Sequence, residues 1–249
     1  MTLLAALAAA ACVDRHALFV APAGSAAGTS VTVFTASARP PPDSGRFGTD
    51  RADVLDFGRY RVSVPPEREP GTLPRPRTTG ADPARHFVVA ERTTLADRAA
   101  FRTALSGALA ESHGREAILF VHGYNTSFTD GLYRQAQIKH DLGLPGVSVY
   151  FDWPSAANPV RYTYDFESVL FSRTPLEETM QDLRAAGAET VIVVAHSMGA
   201  LLTLEVMRQV SLRGAEKADD LIDGLVLLAP DVDVTVFHRV MQEIDGLPQ

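Results

Sequence analysis

Residues 191–202 read VIVVAHSMGALL, a serine between a β-branched apolar run and a run suited to helix. With Ala195 two positions before Ser197 and Gly199 two after, AHSMG is a variant of the G-x-S-x-G elbow. In that motif a sharp strand-to-helix turn lifts the serine hydroxyl above a sheet, where it can attack a carbonyl carbon. Ser197 is therefore the candidate nucleophile, and the competing role for a serine in this place is helix N-capping. Attack creates an oxyanion that needs two backbone N–H donors, one from the residue after the serine and one from a loop after an earlier strand. Met198 supplies the first, and HGYN (122–125), which follows the apolar run ILFV, supplies the second through Tyr124. Gly123 lets the backbone approach a substrate closely, and His122 would border the same site. For His122 and His196 a satisfied structural histidine is the preferred role, since a base must reach the hydroxyl from its far side. After the elbow the chain offers APDVD (229–233) and one histidine, His238. Asp231 or Asp233 is the candidate acid, with Asp231 the better choice because Asp233 is placed to cap a following helix. His238 is the candidate base, and an ordinary surface histidine on an amphipathic helix is its competing role.

The elements that must hold these residues follow from hydrophobic period. VTVFTASAR (31–39), GRYRVSV (58–64) and RHFVVAE (85–91) read as strands, separated by the proline-rich RPPPDSGRFG and VPPEREPGTLPRPRTTG, which exclude helix and central strand. Thr94 three residues before Asp97 predicts a helix start, with Phe101, Leu105 and Leu109 on one face. AILFVHGYN (117–125) is a strand running into a loop, Ser127–Asp141 a helix, and VSVYFDWP (147–154) a strand stopped by Pro154, with Trp153 a packed aromatic. Tyr162, Tyr164 and Asp165 are expected in a surface loop near the site. Thr174-Pro175-Leu176-Glu177 predicts a helix from Pro175 to about Ala186, and TVIVVAH, Met198–Leu212, GLVLLAP and Val234–Ile244 complete a strand, helix, strand, helix series. Apolar strands alternating with amphipathic helices predict a mostly parallel sheet covered on both faces.

The chain has 249 residues, a net charge of -7, 46% hydrophobic and 21% charged residues, the balance of a globular protein. No Lys/Arg-rich stripe stands out among 23 basic and 30 acidic residues, so nucleic acid is not an expected partner. A single cysteine, Cys12, rules out an intramolecular disulfide. No HExxH, CxxC, P-loop or GxGxxG motif occurs, so neither metal nor cofactor is expected. Cys12 follows LLAALAAAA, an apolar stretch ending in small residues that resembles the lipobox of bacterial lipoproteins. This makes residues 1–30 a signal or lipoprotein segment and tether, with lipidation at Cys12, membrane attachment through it, and location in the cell envelope or periplasm. A plain signal peptide or a misassigned start is the competing reading.

HGYNTSF (122–128), LYRQAQIKHDLGLPG (132–146), FDWPS (151–155), RYTYDFES (161–168), AHSMG and LLAPDVD (227–233), in this order, resemble the alpha/beta-hydrolase family formerly classed as a domain of unknown function, related to esterases and lipases. The likeness runs from about Val31 to the end. It implies an α/β-hydrolase fold over 31–249, made of proline-rich strands and loops (31–95) and a core (96–249). It also implies a Ser-His-Asp triad and a small ester or acyl substrate. Members of the family continue with a further strand ending in an aspartate and a later loop bearing a histidine, so the last strands are expected to be missing here. A non-catalytic hydrolase-like envelope module, or an inert fragment, is the alternative to an esterase-like enzyme.

Overall fold

The strands β4 (Glu116–Val121), β5 (Val147–Asp152) and β6 (Thr190–His196) are apolar along nearly their whole length because both of their faces are covered. The computed structural model describes residues 15–42, 45–76, 80–214 and 218–246, and the Cys12 segment lies outside them. Seven strands form one sheet in the order β3-β2-β1-β5-β4-β6-β7, where β1 is Thr29–Ser37, β2 Asp56–Val64, β3 Val88–Leu95 and β7 Gly224–Leu228. From β1 through β5, β4 and β6 to β7 every pairing is parallel, while β2 and β3 add an antiparallel flank.

Side chains alternate across the central strands with period two. Ala117, Leu119 and Val121 of β4, Val149 and Phe151 of β5, and Val191, Val193 and Ala195 of β6 face one core. That core is shared with helices α1 (Arg98–Glu111), α4 (Arg173–Ala185) and α5 (Met198–Arg213). Ile118, Phe120, Tyr150 and Val194 point the other way, under α2 (Phe128–Asp141), where they meet Phe128, Leu132 and Ala136. Each fully buried Leu, Val or Phe of this kind contributes about 1.5–3 kcal/mol relative to exposure. β7 pairs only with β6 and leaves Val226 and Leu228 at 45% and 39% exposure. Among the described residues no helix is long and apolar enough to cross a membrane.

Three expectations need correction. Thr94 does not start a helix: it pairs with Gly58 inside β3, and Asp97 is the cap, accepting from the Ala100 N–H at 2.8 Å. The helix expected from Pro175 begins at Arg173, because α3 (Tyr162–Phe171) ends at Ser172 and α4 starts from the same residue without a side-chain cap. Tyr162, Tyr164 and Asp165 thus belong to α3, not to a loop. α6 (Ala218–Leu221) is a single turn, and α7 (Val234–Glu243) is capped by Asp233, which accepts from the Thr235 N–H at 2.8 Å. Residues 15–21 lie against the domain, with the Ala21 N–H bonded to the Val89 carbonyl at 2.9 Å and the Val89 N–H to that of Phe19 at 2.8 Å.

Candidate active site

Ser197 joins β6 to α5 with φ 52 and ψ -122, a left-handed conformation that costs a non-glycine residue about 1–3 kcal/mol. Its hydroxyl caps nothing, so the N-capping role does not apply. The turn is fixed by its backbone: Ser197 N–H donates to Leu228 O at 3.0 Å, and its carbonyl accepts from Ala200 at 2.9 Å and Asp231 at 3.2 Å. Two glycines allow the close approach that this turn requires. A Cβ on Gly199 would stand 2.3 Å from the His122 carbonyl oxygen, and one on Gly123 would stand 2.7 Å from Ser197 Cβ. The loop after β4 therefore runs directly beside the elbow, as AHSMG and HGYN together predict. Positive φ at Asn125, Ala157, Ser197 and Ala229 puts strained backbone after each of β4, β5, β6 and β7, and only Arg115 among the described non-glycine residues shares it elsewhere. Strain gathered at one end of four adjacent strands makes that edge the candidate site.

His122 is buried and structural. Its ring stacks on Trp153 with centroids 4.6 Å apart, and its two nitrogens lie 2.8 Å from Gly123 O and 2.9 Å from Trp153 O. Trp153 returns a bond from Nε1 to the His122 carbonyl at 2.7 Å. Beneath them Arg39 and Asp152, both fully buried, pair at 2.8 Å. Burial would raise the Asp152 carboxyl, but Arg39, His122 and Ser37 together hold it at about 2. Arg39 also donates to the carbonyls of Ser155 at 2.8 Å and Trp153 at 3.0 Å, so one guanidinium braces the loop after β5. Asp165, buried at the start of α3, accepts from Asn125 N at 3.0 Å, Ala156 N at 2.6 Å and Ser155 Oγ at 2.6 Å. It ties the loop after β4 to the loop after β5. Sequence reasoning missed the roles of Arg39, Asp152 and Asp165; the one signal for Asp152 is a carboxylate closing an otherwise apolar strand.

Among the described residues the N–H groups of Met198 and Tyr124 have no hydrogen-bond partner, whereas those of Ser197, Asn125 and Thr126 do. Asp231 lies beside the elbow through its bond to Ser197 O, and its carboxylate accepts from the Tyr162 hydroxyl at 3.0 Å. The Tyr162 ring meets that of Tyr124 at 5.3 Å, so α3 spans from the HGYN loop to the loop after β7. His238 is exposed on α7, with Phe237 as its ring neighbour at 6.1 Å, and bonds neither Asp231 nor Ser197. His196 is exposed at the tip of β6; burial of part of its ring, then the charges of Arg134 and His122, hold its pKa down. No histidine among the described residues is hydrogen-bonded to the Ser197 hydroxyl. No cluster of three His, Cys, Asp or Glu among them could hold a metal ion.

A family model described as alpha/beta hydrolase of unknown function (DUF900) matches residues 97–248, from α1 through α7, and so includes both the elbow and the HGYN loop. The chain belongs to this family. No curated protein and no solved structure matches it. The mostly parallel sheet with helices on both faces is the α/β-hydrolase fold expected from the motifs. A cavity of about 650 Å³ lies at the far end of the sheet, among Ser30, Thr32, Gly146 and Ser148. We place the site instead at the strand ends, because strain, free amides and the elbow coincide there.

Proposed function

We propose that this alpha/beta hydrolase cleaves an ester or related acyl bond through Ser197. The observation that carries the reading is the left-handed Ser197, uncapped and held between Gly123 and Gly199 next to two unpartnered N–H groups. In the reaction Ser197 Oγ attacks the acyl carbon, the carbonyl oxygen becomes an oxyanion held by Met198 and Tyr124 N–H, and on its collapse the bond to the alcohol oxygen breaks, the serine proton passing by way of a water molecule to the departing alkoxide. Water then releases the acid and restores Ser197. Asp231, fixed beside the elbow, is the candidate acid in this reading, and His122 and Gly123 border the bound substrate. Export to the cell envelope with a lipid on Cys12 belongs to the same proposal and is tested by fatty-acid labelling that Cys12→Ala abolishes.

A non-catalytic module that keeps the hydrolase shell for binding is the second reading, favoured by the absence of a histidine bonded to Ser197 among the described residues. A fluorophosphonate probe separates the two. The folded protein is expected to be labelled, Ser197→Ala unlabelled, and His238→Ala labelled like the parent. A folded but unlabelled protein overturns the enzyme.

A further inference from the structure

On the α2 side of the elbow is a cavity of about 210 Å³ whose wall includes Gly123, Asn125, His196 and three arginines, Arg15, Arg75 and Arg134. Gly123 joins it to the nucleophile, since the same Cβ position that lies 2.7 Å from Ser197 Cβ lies 2.6 Å from His196 Nδ1. The chain as a whole carries a net charge of -7, yet this wall holds three guanidinium groups and one carboxylate, Asp130. Asp130 is fully engaged: one oxygen takes Arg15 and the other Arg75, both at 2.8 Å. Arg15 is further pinned by the Asn125 side chain at 2.9 Å. Arg134 is left with a neutral partner, Gln137 Oε1 at 2.7 Å, and no carboxylate among the described residues.

A half-buried cation with no carboxylate bonded to it sits in a costly place unless something negative joins it. Two titrations sense the same local field. Burial, and then Arg75, lower Arg134 despite the opposing pull of Asp130 and Asp141. Burial and then Arg134 lower His196. The cavity is too small for a whole drug-sized ligand, whose sites span about 300–1,000 Å³, and suits one compact charged group.

We infer that this cavity is a subsite for an oxyanion, a carboxylate or phosphate group carried by the substrate beside its scissile bond, with Arg134 as the principal ligand and His196 as a neighbour. The inference rests on Ser197 being the nucleophile for its place in the reaction, but not for binding itself. Arg134 selects such substrates because its planar fork matches an oxyanion with two parallel N–H bonds in a partly desolvated site.

The test has a binding arm and a kinetic arm. In Ser197→Ala, the imidazole resonances of His196 are followed by NMR as inorganic phosphate or succinate is added to about 50 mM, a range that detects affinities near the millimolar level. A saturable movement is expected, with a rise in the His196 pKa, and it should vanish in Arg134→Gln and persist with weaker affinity in Arg134→Lys. Which anion acts identifies the oxyanion. In the active chain, kcat/KM for 4-nitrophenyl hemisuccinate is compared with that for neutral 4-nitrophenyl butyrate. The ratio should favour the anion and fall about tenfold in Arg134→Gln, the loss expected for one charge-assisted contact, while Arg134→Lys, which keeps the charge but loses the fork, falls between the two. A His196 signal that neither anion moves, or a ratio unchanged by Arg134→Gln, overturns the subsite. If His196 responds but neither ester is cleaved, the anion site stands and the hydrolase reading falls; if both esters are cleaved equally and His196 is silent, the reverse holds.

Discussion

Replacing Gly199 by alanine tests the link from packing to nucleophile placement. The new Cβ would meet His122 O at 2.3 Å, Val121 O at 2.6 Å and Val121 C at 3.0 Å, all backbone atoms of β4 and its loop. The first contact is about 1 Å short of ordinary van der Waals distance. No flexible side chain can yield, so α5 and the end of β4 must separate. Overpacking of this kind costs about 1–3 kcal/mol, and rigid backbone on the other side puts Gly199→Ala at about 3 kcal/mol. Alanine returns about 1 kcal/mol of helix propensity, leaving a net loss of about 2 kcal/mol. For a chain of this size that lowers Tm by about 4–8 °C. A shift of about 1 Å between Ser197 and the Tyr124 amide should slow fluorophosphonate labelling about 100-fold. Gly107→Ala is the control: it lies on α1 with nothing within 4 Å of its Cβ position. It should raise Tm by about 2 °C through propensity alone, with labelling unchanged. A Gly199→Ala protein with parental Tm refutes the steric reasoning. One with lowered Tm but the parental labelling rate refutes the step from packing to reactivity.

Asp152, held at about 2 in the fold against 3.8 otherwise, binds fewer protons folded than unfolded, so its stabilisation is present above about pH 4 and is lost as pH falls towards 2. Asp152→Asn should flatten that acid limb in urea titrations and cost about 3 kcal/mol at neutral pH by leaving Arg39 buried alone; an unaltered acid limb refutes it. Asp165→Ala removes the acceptor of one buried and one part-buried N–H group and of a buried hydroxyl, for a loss of about 3 kcal/mol in denaturant unfolding and slower labelling of Ser197. Parental stability in that variant would show that the loops after β4 and β5 are held some other way. Asp231→Asn should lower kcat/KM by about tenfold, the loss expected for one charge-assisted contact, with Tm nearly unchanged, and a fall of less than about threefold assigns the acid to another residue.

What the sequence made legible was local. AHSMG carries its own strand and helix, and a covered parallel strand shows as an unbroken apolar run, so β4, β5, β6 and the elbow could be read directly. Capping patterns were less secure because they compete with tertiary pairing. Ser127 and Asp233 cap their helices as their positions suggest, but Thr94 is drawn into the ladder with β2 and Thr174 lies within a helix already begun at Arg173. α3 escaped notice for a different reason. Its inward face is Asp165, Ser168 and Val169, so the apolar period that signals a helix is missing where a buried carboxylate replaces it.

That carboxylate, with Arg39 and Asp152, also explains why the site itself was only half legible. Asp165 reaches an amide 40 residues away, and Arg39 reaches Asp152 across 113 residues; no spacing rule encodes such pairs. Yet these pairs make the strained strand ends tenable. Each positive φ costs free energy, and the loops that bear them would relax if they were free. The loop after β4 is held by Asp165 and by the stacked His122 and Trp153, the loop after β5 by Arg39, and the elbow by bonds from β7 and from Asp231. A buried ion pair contributes little net stability against an apolar alternative. Its selective value here is geometric: Arg39 fixes several carbonyls at once, which no apolar residue of its volume would do.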